Sequence, residues 1–68
     1  MRDSVASFHS HPDTPECFFV LTGMVQVDTE HGSVVLEPGH FYKVEPGVSH
    51  RARVEGEATL LVFDRISA

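Results

Sequence analysis

The sequence holds one cysteine, no tryptophan and only five lysine or arginine residues among 68. With Cys17 alone, no disulfide can form within this sequence. Domains near this length bury only about 60% of the surface their unfolded chains expose, so an unstapled core is marginal. A metal or a partner subunit is the expected source of further stability. The five basic residues are scattered and face ten acidic ones, for a net charge of −5. Neither nucleic acid nor an anionic membrane is therefore an expected partner. The longest apolar run, Cys17 to Leu21, is far shorter than the roughly 20 residues of a membrane-spanning helix. A lone cysteine and no secretory signal pattern suit a reducing compartment, and a cytoplasmic location is expected.

What the chain does contain is β-type runs separated by turn residues at close intervals, which signals an all-β sandwich or barrel. Strands are expected near Ser4–His9, Glu16–Thr22, Met24–Thr29, Ser33–Leu36, His40–Val44, His50–Val54 and Thr59–Asp64. Turns are expected at residues 12–15, 30–32, 38–39, 46–47 and 55–56. Glu30-His31-Gly32 reads as a hairpin, with Gly32 free to take a positive φ. No window has a sustained helical period with caps, and no repeat, low-complexity tract or linker divides the chain. Residues 1–68 read as one all-β domain.

Chemistry concentrates in His9-Ser10-His11, in Glu16, and in His50 far downstream. Two histidines separated by one residue on a strand project to the same face. Three imidazoles and one carboxylate form a mixed N/O donor set suited to a first-row divalent metal. Four residues separate His11 from Glu16, and six more separate Glu16 from Gly23. Downstream, Gly39 is followed after five residues by Glu45 and then by Pro46-Gly47-Val48-Ser49-His50.

These two segments resemble the paired motifs of the cupin superfamily: His-x-His with its Glu and closing Gly, then Pro-Gly-x-x-His. The fifteen residues from Met24 to Pro38 separate them, as in compact microbial cupins. The resemblance covers Phe8 to Phe63 and is closest to small single-domain bacterial proteins of the conserved-barrel type. It implies a small antiparallel β-barrel or jelly roll, shortened at the N-terminus, with His9, His11, Glu16 and His50 as ligands of one divalent metal (Fe, Mn, Ni, Cu or Zn). The sequence departs from the pattern at Asp3, Glu45 and Val54, where the family has glycine, proline and asparagine. None of these is a ligand position.

If the histidines point inward, so do Glu16, Phe18 and Val20, while Cys17, Phe19 and Leu21 form an equally apolar outer face. A water-exposed wall alternates apolar with polar residues, so this strand is expected to be covered on both faces. Leu60-Leu61-Val62-Phe63 repeats the pattern. A second copy of the chain is the expected cover, making a homodimer. Val20 and Ala52 are expected to line the ligand-free side of the pocket. His31 and His40 sit beside turns and read as solvated or supporting residues rather than ligands. Cys17 reads as a buried structural thiol, since buried cysteines behave as small hydrophobes. Gln26 is assigned to the inward face, where it could contact a ligand or simply bond to a neighbouring strand. Asp13, Glu30, Glu55 and Glu57 read as solvated turn residues, and no second acid/base is evident on the inward face.

Four protein ligands leave positions for water or substrate on an ion that accepts five or six, whereas structural zinc is normally closed at four. The leading reading is a metal-dependent enzyme acting on a small oxygenated molecule, of dioxygenase, isomerase or epimerase type, with Glu16 as the catalytic base. The alternatives are a non-catalytic module that binds a metal or small ligand, and a barrel subunit completed by a partner chain.

Overall fold

The structure, a computed structural model, describes residues 2–5, 8, 10 and 12–64. Seven strands follow one another: β1 (Arg2–Val5), β2 (Glu16–Thr22), β3 (Val25–Thr29), β4 (Gly32–Leu36), β5 (Phe41–Val44), β6 (His50–Glu57) and β7 (Thr59–Phe63). They form two antiparallel sheets, ordered β1-β6-β3-β4 and β5-β2-β7. There is no helix among the described residues. The fold is a small antiparallel jelly roll, as the motif resemblance implied.

Alternation builds the core. Val25 and Val27 from β3, Ala52 and Val54 from β6, and Phe18 and Val20 from β2 turn inward and meet Leu36 and Val44. Val20, Val25 and Val27 are fully enclosed. Their β-branched side chains suit a pleated surface packed on a second sheet.

Boundaries differ from expectation where two strands support one another. β6 runs on to Glu57 instead of stopping at Val54, because Arg2 pairs with Glu57 and Ser4 with Val54. The register shifts between Arg2 and Ser4, where Asp3 takes a φ of 41° and its carboxylate accepts the Gly56 N–H at 2.6 Å. The first strand thus ends, among the described residues, at Val5. Phe8 lies outside it, with the Arg51 guanidinium carbon 4.6 Å from the centre of its ring.

The two Pro-Gly turns form as the sequence indicates. The His40 N–H donates to the Glu37 carbonyl at 2.9 Å, and the Val48 N–H to the Glu45 carbonyl at 3.2 Å. The second residue of each turn needs a positive φ, which Gly39 (87°) and Gly47 (82°) supply. Pro46-Gly47 sets the path into β6, and so the position of His50.

Candidate metal centre

Glu16 opens β2 and His50 opens β6, one strand in each sheet. The two side chains meet inside the fold, with His50 Nε2 2.6 Å from Glu16 Oε2. His50 is 1% exposed and Glu16 9%. Parity explains the convergence. Glu16 shares the inward face of β2 with Phe18 and Val20, and His50 shares that of β6 with Ala52 and Val54.

Both ends of the His50 ring are fixed. Its Nδ1–H donates to the Val48 carbonyl at 2.8 Å, which sets the tautomer and aims Nε2 at the carboxylate. Phe18 meets the ring edge-on, with centroids 6.1 Å apart and planes at 82°, the orientation aromatic quadrupoles favour. The imidazole nitrogen and the carboxylate oxygen thus face one another in a water-poor setting.

His9 and His11 lie outside the described residues. Among the described residues, no group of three or more His, Cys, Asp or Glu side chains is arranged to hold a metal ion. Glu16 and His50 nonetheless fit one in donor type: one carboxylate oxygen and one imidazole nitrogen, buried together, with the far nitrogen anchored to the backbone. His31 and His40 are exposed, and His40 Nδ1 accepts the Glu37 N–H at 3.1 Å. Cys17 is fully buried, as expected.

Gln26 departs from its expected inward position. Val25 and Val27 on either side of it are enclosed in the core, so Gln26 faces outward and donates to Asp28 Oδ1 at 2.9 Å. A second difference is Tyr42. It pairs with Phe18 across β2 and β5 and packs half-buried against the core, which places a phenol on the inward face. The signal was present in β5, where Phe41 and Lys43 are exposed, Val44 is buried and Tyr42 shares its parity.

Asp28, unremarked in the sequence, is 5% exposed although it lies on the outer face of the four-stranded sheet. Its Oδ1 also accepts from the Ser33 hydroxyl at 2.7 Å and Arg53 Nη2 at 3.2 Å. Oδ2 accepts from Arg51 Nε at 2.8 Å. Arg53 Nε also lies 2.7 Å from Oδ2, without the alignment of a hydrogen bond. The Ser33 hydroxyl, then Arg51, with smaller help from Gln26 and Arg53, hold the Asp28 carboxyl well below the usual range against the opposing effect of burial. Beside this network is a surface depression of about 210 Å³ lined by Met24, Gln26, Val35, Arg53 and Glu55. It lies on the opposite side of the sheet from His50, and no imidazole lines it.

Comparison with known proteins agrees with this fold. The chain is 38% identical over 58 residues to the uncharacterized HTH-type transcriptional regulator YobQ of Bacillus subtilis, a match covering 84% of the chain and 24% of that regulator. A cupin-2 domain containing protein from Shewanella frigidimarina superposes with a TM-score of 0.82 at 26% identity, over 93% of this chain and 63% of the other. Protein NMB1881 from Neisseria meningitidis gives 0.76 at 29% identity, over 85% and 60%. The chain thus spans about a quarter of the regulator and under two thirds of each of these structures. The Cupin domain family model matches residues 2–64, and the chain belongs to the cupin family.

Proposed function

We propose that this chain binds one divalent transition metal through Glu16 and His50 together with His9 and His11, and uses the pocket to act on a small oxygenated molecule. The observation that carries the reading is the buried Glu16–His50 contact with His50 Nδ1 anchored on Val48. An outward nitrogen tied to a carbonyl is the usual support for a metal-ligating imidazole. A divalent ion held there would supply Lewis acidity toward a bound oxygen atom. Glu16 lowers the charge at the centre and can hold a proton at Oε2, the atom that meets His50 Nε2. Phe18 walls off the ring edge of His50 and keeps water from it. Tyr42, on the same inward face, adds a hydroxyl able to donate to an anionic oxygen, so acid and base roles fall on different strands.

A second reading, a non-catalytic module that senses a small ligand, is supported by the 38% identity to a transcriptional regulator. Metal analysis tests what both readings share. The chain should purify with metal, His50→Ala should lose it and His31→Ala should keep it; equal retention in the two variants refutes the proposal. Turnover of small oxygenated substrates by the loaded protein then favours the enzyme, and ligand binding without turnover favours the sensor.

A further inference from the structure

The outer face of the four-stranded sheet carries charges that do not neutralise one another. Asp28 contributes one negative charge, and both Arg51 and Arg53 bond to it, so one positive charge is left over. Arg53 directs Nε and Nη2 at Asp28, while its Nη1 has no partner among the described residues. The Glu55 carboxylate likewise makes no hydrogen bond or ion pair among the described residues. Both side chains line the depression of about 210 Å³, together with Met24, Gln26 and Val35.

Strand register gives this depression its pattern. Arg53 on β6, Gln26 on β3 and Val35 on β4 are paired in one row across the sheet. Glu55 lies two residues beyond Arg53, and Met24 two residues before Gln26, so a second row runs beside the first. Same-face neighbours along a strand are about 6.6 Å apart. Arg53 and Glu55 therefore stand as opposite poles at one side of the depression. Met24 and Val35, 57% and 52% exposed, supply apolar surface beside them. The Gln26 amide nitrogen is committed to Asp28, which leaves its Oε1 as a further acceptor.

We propose that this depression binds a free α-amino acid with a long apolar side chain. Its carboxylate accepts from Arg53 Nη1, and its ammonium group donates to Glu55 and Gln26 Oε1. Its side chain lies over Met24 and Val35. A plain anion is repelled by Glu55 and a plain cation by Arg53, so a ligand carrying both charges matches the two poles. The charged groups of an α-amino acid are about 3 Å apart, and hydrogen bonds of about 2.8 Å at each end let it bridge roughly 8 Å. The depression is smaller than the roughly 300–1,000 Å³ of pockets for drug-sized ligands, which suits a single amino acid better than a larger ligand. The sheet separates it from His50, so this site does not depend on the proposed metal.

Amide chemical shifts of the isotope-labelled full chain, titrated with L-methionine at low salt, test this. Saturable shifts are expected at Met24, Gln26, Val35, Arg53 and Glu55. N-acetyl-L-methionine lacks the ammonium group and L-methionine methyl ester the carboxylate, so each should bind about tenfold or more weakly. Glycine, which has no side chain to cover Met24 and Val35, should also bind more weakly. These analogues need no variant of the protein. Glu55→Gln should fold normally, because the carboxylate it removes has no partner among the described residues. It should lose about tenfold in affinity for L-methionine yet bind N-acetyl-L-methionine better than the unmodified chain does, since the repulsion is gone. Val35→Ser should weaken L-methionine and leave glycine unchanged. Absence of saturation by L-methionine up to about 20 mM overturns the proposal. So do equal affinities for L-methionine and its N-acetyl derivative, shifts centred away from the depression, or a Glu55→Gln chain that binds L-methionine as tightly as before.

Discussion

His50 donates its Nδ1–H to the carbonyl oxygen of Val48, two residues upstream, at 2.8 Å. Val48 in turn closes the Glu45–Val48 turn through its own N–H, so the aim of the His50 ring depends on the geometry of Pro46-Gly47. The Pro-Gly-x-x-His spacing therefore has a mechanical meaning. The turn places a carbonyl where it fixes one nitrogen, which leaves the other directed at Glu16.

That dependence separates two otherwise similar glycines. Gly39 and Gly47 have φ values of 87° and 82°, and a Cβ added at either meets nothing within 4 Å. Alanine at each should cost a similar amount of stability, about 1–2 kcal/mol, from backbone strain alone. Only Gly47→Ala should also disturb the support of His50, with metal affinity falling about tenfold or more. Chemical denaturation compared with metal-competition titration of both variants checks this. Equal metal affinities would detach His50 from its turn.

Gly23 is a different case. Its φ is 77°, and a Cβ there would lie 2.4 Å from the Glu57 carbonyl oxygen and 2.9 Å from Ala58 Cα. The turn from β2 to β3 packs directly on the β6–β7 junction, where neither backbone can yield cheaply. Gly23→Ala should therefore destabilise by more than the roughly 1–3 kcal/mol of a strained φ alone, and by more than Gly39→Ala. A melting comparison in which the two lose the same stability would contradict the close approach.

Asp28 gives the fold an acid-sensitive element. Its carboxyl is held below its ordinary range by Ser33, Arg51, Gln26 and Arg53, so the folded state favours the ionised form. A depressed folded pKa contributes stability in full above the unfolded value, near pH 4, and loses it as pH falls through the folded value. Stability should decline progressively below about pH 4. Asp28→Asn should lower the melting temperature at neutral pH and flatten that part of the acid profile. An unchanged profile would remove Asp28 from the account.

The elements that sequence reasoning recovered are those with local signals. Alternation over five to eight residues marks β3 and β6, a continuous apolar run marks β2, and Pro-Gly marks the turns. The motif spacing singled out Glu16 and His50, which lie 34 residues apart in the chain and 2.6 Å apart in the structure. What escaped depends on register. Alternation continued from β2 through Gly23 puts Gln26 inward, but a turn with a positive φ resets parity, and a one-residue slip exchanges faces. The Asp28 network draws on β3, β4 and β6, where Asp28 pairs with Ser33 and Arg51 and Gln26 with Arg53. Asp28 and Ser33 share a hairpin, but Arg51 lies 23 residues and Arg53 25 residues from Asp28 in the chain, beyond any short window of sequence. Tyr42 was hidden by a four-residue strand, too short for its alternation to stand out.

Glu16 is the residue whose replacement separates structural from chemical roles. Glu16→Ala would leave a cavity beside His50 in a nearly closed site and remove the carboxylate that meets Nε2; about 1–3 kcal/mol of stability should be lost. Glu16→Gln keeps the length and volume of the side chain, and its amide can still hydrogen-bond the ring, so its melting temperature should stay closer to the unmodified chain. An amide is nevertheless a neutral and poorer ligand than a carboxylate, and it holds no transferable proton. Metal affinity of Glu16→Gln should fall by about tenfold or more, and any turnover should fall further than metal content does, because the base is lost along with the charge. Melting curves, metal competition and turnover measured on the same preparations distinguish these effects. A Glu16→Gln protein that folds, holds metal as tightly as the unmodified chain and keeps full turnover would take Glu16 out of both the ligand set and the chemistry.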